Sequence, residues 1–162
     1  MLSAVPLWLH IVGAAVWVGS QVMMVAVVIP SLRLAGPEVR QPVLASVTKR
    51  FGYLGLASLV LLVLTGLDNL DRYAPADMFD YRYGYLLAAK LSLLTAAVVL
   101  TAAHALYLGP RLLRLYESGA LHDDSRVKSV RILSIASSSL TLLLSLLILL
   151  CAALLRSPYA YG

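Results

Sequence analysis

The chain has 162 residues, of which 60% are hydrophobic and 13% charged, and its mean hydropathy is +0.86. Soluble domains carry roughly a quarter charged residues, so this composition indicates an integral membrane protein. The net charge of +5 comes from basic residues that cluster in two connections, as topology signals do, which argues against nucleic-acid binding. The single cysteine, Cys151, excludes an intrachain disulfide framework and any zinc or iron–sulfur cluster held by cysteines.

Four apolar stretches, at about 5–29, 52–70, 83–108 and 130–155, are each long enough to cross roughly 30 Å of hydrocarbon as a helix. Lipid offers the backbone no hydrogen-bond partner, so these stretches are expected to be helices. The first is interpreted as a retained span, since it lacks a basic n-region and exceeds the length of a signal-peptide core. The prediction is an all-α integral membrane protein, an antiparallel four-helix bundle that forms a single domain over 1–162.

The connections predict helix ends and topology. Prolines in 30–51 predict that the first helix ends near Pro30 and that 37–49 forms a short interfacial helix. The pair Gly109-Pro110 predicts the end of the third helix. Connections 30–51 and 109–129 are rich in Lys and Arg, whereas 71–82 is acidic and aromatic. The positive-inside rule therefore places the first and third connections in the cytoplasm and both termini outside.

The fourth stretch carries hydroxylated residues at spacings of four, three and four, which lie on one helical face. They are Ser134, Ser138, Thr141 and Ser145. The second stretch offers three glycines, Gly52, Gly55 and Gly66. Small residues of both kinds favour close helix packing. The sequence contains no clear internal repeat.

Two ionisable residues lie deep in apolar stretches: His10 in the first and Lys90 in the third. Such residues inside a span are functional-site hypotheses by default. With a rise of about 1.5 Å per residue both lie at a similar depth in the outer leaflet, so they meet in one polar site if their helices face each other. The alternatives are a His10 that hydrogen-bonds a neighbouring carbonyl or hydroxyl and a Lys90 whose ammonium reaches the outer interface.

The residues around His10 suggest a place for a flat ligand. Gly13 and Trp17 share its helical face, and the cores of helical bundles commonly hold cofactors between such faces. Arg82 and Tyr85, near the outer mouth, are positioned to meet an anionic group such as a haem propionate.

A second histidine, His104, lies 14 residues after Lys90, about 21 Å further along the helix. It should therefore not share one iron with His10, since the axial ligands of one metal lie only about 4 Å apart. His104 is either a ligand of a second metal or an interfacial histidine. Thioethers suit cuprous copper, so Met23 and Met24 are further candidates for a copper site.

Short segments resemble a known superfamily. Leu9–Gly19, LHIVGAAVWVG, resembles the opening span of the CopD-like membrane proteins and of the HemJ-type protoporphyrinogen oxidases. In the third stretch, Tyr83–Leu91 and His104–Arg111 are similar to the superfamily's run of Gly, Lys-Leu and Pro-Arg-Leu. Leu64–Gly66 fits the end of its second span.

The HemJ resemblance implies a four-helix haem-b protein whose key residues, a histidine in span one and a lysine in span three, match His10 and Lys90. The CopD resemblance implies copper passage or tolerance at the bacterial inner (plasma) membrane, in which the chain would be a multi-pass protein. The chain departs from HemJ before span four, where Lys128–Arg131 replaces an Asn-Glu-x-Pro-like segment. This departure bears on porphyrinogen oxidation more than on haem binding.

The main hypothesis is a haem-b-binding membrane protein with a redox or electron-transfer role, which exchanges electrons with quinone or porphyrin. His10 would be an axial ligand of the iron, and Lys90 a second ligand or the partner of a propionate. The alternative is a copper-handling transporter or resistance protein of CopD type that uses His10, Met23 or Met24, with His104 as a further ligand. A helix-packing subunit without cofactor is the third hypothesis. A homo-oligomer and an enzymatic activity are left open.

Overall fold

The computed structural model describes residues 4–73, 79, 82–117 and 125–161. Every element in these ranges is helical. The α-helices are α1 (Val5–Met23), α2 (Ile29–Arg33), α3 (Pro37–Tyr73), α4 (Arg82–Ala103), α5 (Gly109–Glu117) and α6 (Ser125–Leu155). Two π-helical turns, Met24–Val28 and His104–Leu108, and a 3₁₀ turn, Pro158–Tyr161, complete them.

The chain forms two compact units, Met1–Ala76 and Asp77–Gly162. The first contains α1 to α3 and is called hairpin 1; the second contains α4 to α6 and is called hairpin 2. In each, a first long helix packs against a second one. The prediction that both form one antiparallel four-helix domain stays a prediction.

Four helical segments are long and apolar enough to cross a membrane. They are Val5–Arg33, Glu38–Arg72, Arg82–Leu112 and Val127–Leu155. Few of their residues are buried inside the protein, so most of their apolar side chains are left to contact lipid. These segments confirm the predicted all-α membrane class, and each apolar stretch lies within one of them.

The first helical path does not end at Pro30, and that prediction was wrong. The backbone widens into the π-helical turn Met24–Val28, where the N–H of Ile29 donates to the carbonyl of Met24. Pro30 then occupies the first turn of α2, where the missing N–H of a proline costs no hydrogen bond. The helix therefore continues to Arg33.

The third helical path passes its proline in the same way, so Gly109-Pro110 is not a helix stop. The N–H of Gly109 donates to the carbonyl of His104 across a second π-helical turn, and α5 runs on to Glu117. A Cβ atom added at Gly109 would lie only 3.3 Å from that carbonyl oxygen, so the glycine permits the close approach.

The two hairpins repeat one backbone plan. Met24 and His104, which begin the π-helical turns, are 80 residues apart, and so are Val28 and Leu108, which end them. Pro30 and Pro110 keep the same separation. The sequence does not reveal this repeat, because the backbone geometry recurs while most of the side chains differ.

Helix α3 is one continuous helix of 37 residues with Pro42 inside it. The predicted short interfacial helix over 37–49 is therefore its first part and not a separate element. Pro42 lies only five residues after Pro37, so the ring interrupts hydrogen bonding near the helix start and leaves the rest of α3 intact.

Helices α1 and α3 approach each other through glycines. A Cβ atom at Gly13 would lie 3.4 Å from the side chains of Leu61 and Leu62, and one at Gly55 would lie 3.4 Å from Cζ3 of Trp17. A residue later in α1 therefore contacts a residue earlier in α3, so the two helices are antiparallel. Gly55 leaves the space that the indole of Trp17 fills.

Hairpin 2 packs through small and hydroxylated residues. Ala97 of α4 is completely buried, and three residues of α6 at four-residue spacing are buried with it: Ser137, Thr141 and Ser145. The predicted stripe is shifted, since Ser138 is exposed and Ser137 takes its place. At the other end, the rings of Tyr83 and Tyr161 lie 6.1 Å apart.

The two tryptophans of hairpin 1 differ in burial, which gives a matched test of the α1–α3 contact. Trp17 is 7% exposed and Trp8 is 61% exposed. We expect Trp17→Ala to destabilise the protein by about 3 kcal/mol, because the cavity faces Gly55 and cannot easily close. Trp8→Ala should change stability by less than about 0.5 kcal/mol. Reversible unfolding in mixed detergent measures both, and equal losses would contradict this packing.

Candidate functional site

The imidazole of His10 lies against α3. Its Nδ1 atom is 2.9 Å from Oγ1 of Thr65. A Cβ atom at Gly66 would lie 3.3 Å from Cε1 of the same ring, so the glycine leaves room for the imidazole at this level. The side chain is half-buried. His10 therefore hydrogen-bonds a neighbouring hydroxyl, as one of the sequence-based alternatives expected.

The hydroxyl of Thr65 determines which nitrogen of His10 carries the proton. Oγ1 of Thr65 donates to the carbonyl of Leu61 at 2.6 Å, and a hydroxyl has a single proton to donate. Oγ1 can then only accept from His10, so we infer that Nδ1 carries the N–H. The lone pair of the neutral ring is therefore on Nε2, the arrangement in which histidine commonly binds metals.

Thr65 is a functional candidate that the sequence analysis did not assign. Leu64–Gly66 was noted only as part of the superfamily resemblance. The signal that identifies Thr65 is the contact between α1 and α3, which pairs residues 55 positions apart. A sequence pattern within one helix does not contain it.

Asn69 is a second residue that the sequence analysis missed. It lies one turn after Thr65 on the same face of α3. Both polar atoms of its amide are buried and have no hydrogen-bond partner among the described residues. Hairpin 1 thus contains a polar stripe of Thr65 and Asn69 beside an apolar helix that carries His10.

Gly13 and Trp17, predicted to border a cofactor, both contact α3 in hairpin 1. The carbonyl of Trp17 also accepts from Oγ of Ser20 at 2.9 Å and from Nε2 of Gln21 at 3.2 Å. These contacts serve helix packing. A role of Gly13 and Trp17 toward a cofactor stays a prediction.

Lys90 belongs to α4 of hairpin 2 and is half-buried. It lies 80 residues after His10, so it occupies the corresponding position of the second hairpin. The predicted common site of His10 and Lys90 stays a prediction.

Arg82 and Tyr85 were predicted to meet an anionic group. The guanidinium carbon of Arg82 lies 4.8 Å from the ring centre of Tyr159, a cation–π contact between the start of α4 and the chain after α6. The side chain of Tyr85 is 80% exposed. The structure thus gives Arg82 a local structural partner, and the propionate role stays a prediction.

His104 is the first residue of the second π-helical turn. Its Nδ1 is buried and has no hydrogen-bond partner among the described residues. The corresponding residue of hairpin 1 is Met24, so both turns begin with a side chain that can bind a soft or borderline metal. Such turns often occur at functional sites in helices.

The described residues contain no group of three or more His, Cys, Asp or Glu side chains that could hold a metal. A tightly bound structural metal of the usual tetrahedral type therefore has no complete ligand set there. A soft ion that accepts fewer ligands, bound in passing by single imidazole or sulfur donors, fits the donors present better.

The protonated nitrogen of His10 can be measured directly. In wild-type protein with ¹⁵N-labelled histidine, we expect the Nδ1–H form at His10. Thr65→Val should shift the ring toward Nε2–H because the acceptor is lost, and Thr65→Ser should keep Nδ1–H. Ser58→Ala is the matched control, since Ser58 is also a buried hydroxyl that donates to a carbonyl, that of Leu54 at 2.8 Å. An Nε2–H ring in the wild-type protein would contradict the assignment.

A search of the curated proteins and a search of the solved structures each find no significant match. The comparison with protein families does find one: residues 45–155 match CopD, copper resistance protein D. The matched region begins after α1, so it includes Thr65 and Lys90 but not His10. Since the match spans more than half of the 162 residues, the chain belongs to the CopD family of copper resistance membrane proteins.

Proposed function

We propose that this protein handles copper within the membrane and that Nε2 of His10 is one ligand of the ion it carries. Membership of the CopD family supports copper as the cargo. The observation that carries the proposal is the hydrogen-bond chain from His10 through Thr65 to the carbonyl of Leu61, because it directs the lone pair of the imidazole to Nε2.

The donors inside the spans suit cuprous copper. Neutral imidazole, thioether and thiol groups bind this soft ion well. They carry no charge themselves, so their burial in hydrocarbon costs far less free energy than that of carboxylates. Hairpin 1 supplies His10 and Met24, and hairpin 2 supplies His104 and Cys151.

Thr65 acts as a positioning residue in this proposal. Groups that hydrogen-bond the second nitrogen of a metal-binding histidine fix its tautomer and orient the ring. Thr65 also donates to its own helix, so the acceptor oxygen is held in place by the α3 backbone. His10 is thereby presented by a rigid helical pair and not by a loop.

The haem-b hypothesis uses the same Nε2 atom and rests on the sequence resemblance. A redox or electron-transfer role, with quinone or porphyrin as partner, rests on it as well. The family match favours copper over haem. Bound haem would be detected by the absorption spectrum of the purified protein.

The first test measures copper on purified full-length protein. Wild-type protein supplied with cuprous ion under reducing conditions should retain copper, and His10→Ala should lose most of it because a nitrogen ligand is gone. His122→Ala is the matched control, since His122 belongs to the connection 109–129 and is followed there by two acidic residues, Asp123 and Asp124. Equal copper retention in His10→Ala and wild type would overturn the assignment of His10. A Soret band that disappears in His10→Ala would replace copper by haem.

The second test isolates the role of Thr65. Thr65→Val should weaken cuprous binding by about tenfold or more, the usual effect of losing a partner of a metal-binding histidine. Thr65→Ser should bind as the wild type does, because Oγ remains. A competition titration with a coloured cuprous chelator measures both affinities. If Thr65→Val bound cuprous ion as tightly as the wild type while His10→Ala did not bind it, His10 would still be a ligand. Thr65 would then have no positioning role.

A further inference from the structure

Hairpin 2 contains two adjacent open clefts on the segment that follows the second π-helical turn. The first has a volume of about 340 Å³ and is lined by Leu106, Tyr107, Pro110, Arg111 and Arg114. The second has a volume of about 330 Å³ and is lined by Arg111, Leu115, Ser125, Ser129 and Val130. Arg111 borders both, and the two clefts are together called the arginine cleft.

We propose that the arginine cleft binds the phosphate headgroup of an anionic phospholipid. This site is separate from the copper ligands proposed above and does not depend on them. Guanidinium groups bind phosphate oxygens through paired hydrogen bonds. Two of them, on Arg111 and Arg114, are exposed on neighbouring turns of α5.

Neither Arg111 nor Arg114 forms an ion pair with a described residue. They place two positive charges three residues apart on α5. Basic pockets at the ends of membrane helices attract anionic headgroups for this reason.

The second cleft adds a hydrogen-bond donor for the headgroup. Oγ of Ser129 donates to the carbonyl of Ser125 at 2.8 Å, so its proton is already used. The hydroxyl of Ser125, at the start of α6, can direct its proton to an anion. The first backbone N–H groups of α6 add partial positive charge at the same place.

The chemistry of the lining favours a lipid over inorganic phosphate. Leu106 and Pro110 line the same cleft as the arginines, on the side of the apolar span Arg82–Leu112. The cleft thus combines apolar side chains and a guanidinium group at the end of the span, and Arg114 follows one turn later. An acyl chain can contact Leu106 while the phosphate contacts Arg111. A free phosphate ion has no acyl chain and cannot make the first of these contacts.

Hairpin 1 provides a matched control. The residues that correspond to Arg111 and Arg114, 80 positions earlier, are Ser31 and Leu34, so the arginine pair is not part of the repeated plan. Arg33 and Arg50 are exposed residues of hairpin 1, and neither lines the two clefts. Replacing them removes the same charge without touching the arginine cleft.

The test titrates full-length protein in mild detergent with dioleoylphosphatidylglycerol or dioleoylphosphatidylcholine and counts bound lipids by native mass spectrometry. Wild-type protein should bind the anionic lipid more tightly than the neutral one. The double substitution R111Q/R114Q should weaken the anionic lipid roughly 30-fold, because each arginine near such a lipid contributes about fivefold. The control R33Q/R50Q should bind it as the wild type does.

Three outcomes would overturn the proposal: no preference of the wild type for the anionic lipid, equal losses in both double variants, or complete displacement of the lipid by excess inorganic phosphate. The last would assign the cleft to free phosphate. The variant R111K/R114K guards against misfolding, since it keeps the charge and loses the paired geometry. We expect intermediate affinity from it, and affinity as low as that of R111Q/R114Q would support the paired contact over simple charge.

Discussion

Hydrocarbon offers a polar group no hydrogen-bond partner, and this constraint explains most of what the helices do. It applies to side-chain hydroxyls as much as to the backbone. Four hydroxyls each donate a hydrogen bond to the carbonyl four residues earlier: those of Ser58, Thr65, Thr141 and Ser145. A hydroxyl that has donated in this way can only accept from another helix. The tautomer of His10 follows from that restriction.

The two hairpins show how far side chains can diverge on one backbone plan. The π-helical turn and the proline after it recur at the same separation, but His10 corresponds to Lys90 and Met24 to His104. Each hairpin thus places a different nitrogen or sulfur group at an equivalent position along its own first helix. One backbone plan therefore carries two different sets of side chains.

The sequence predicted the four spans, because apolar length is a local signal. A lone ionisable residue in an apolar stretch singled out His10, whose functional role stays a prediction. The sequence did not predict where the helices end, because the helical paths continue past Pro30 and Pro110 after the π-helical turns. It also failed to find Thr65 as the partner of His10. That pairing depends on the register between two helices, which no pattern within one of them encodes. In the hydroxyl stripe of α6, periodicity identified Thr141 and Ser145 but selected the exposed Ser138 in place of the buried Ser137.

Each π-helical turn contains one residue more than the helix would otherwise need, and this has an angular consequence. An α-helix advances by about 100° per residue, so the extra residue rotates everything after the turn relative to everything before it. In hairpin 2 the turn His104–Leu108 stands between α4 and α5. The inserted residue therefore sets the direction around the helix axis in which Arg111 and Arg114 project. It also sets their position beside the start of α6.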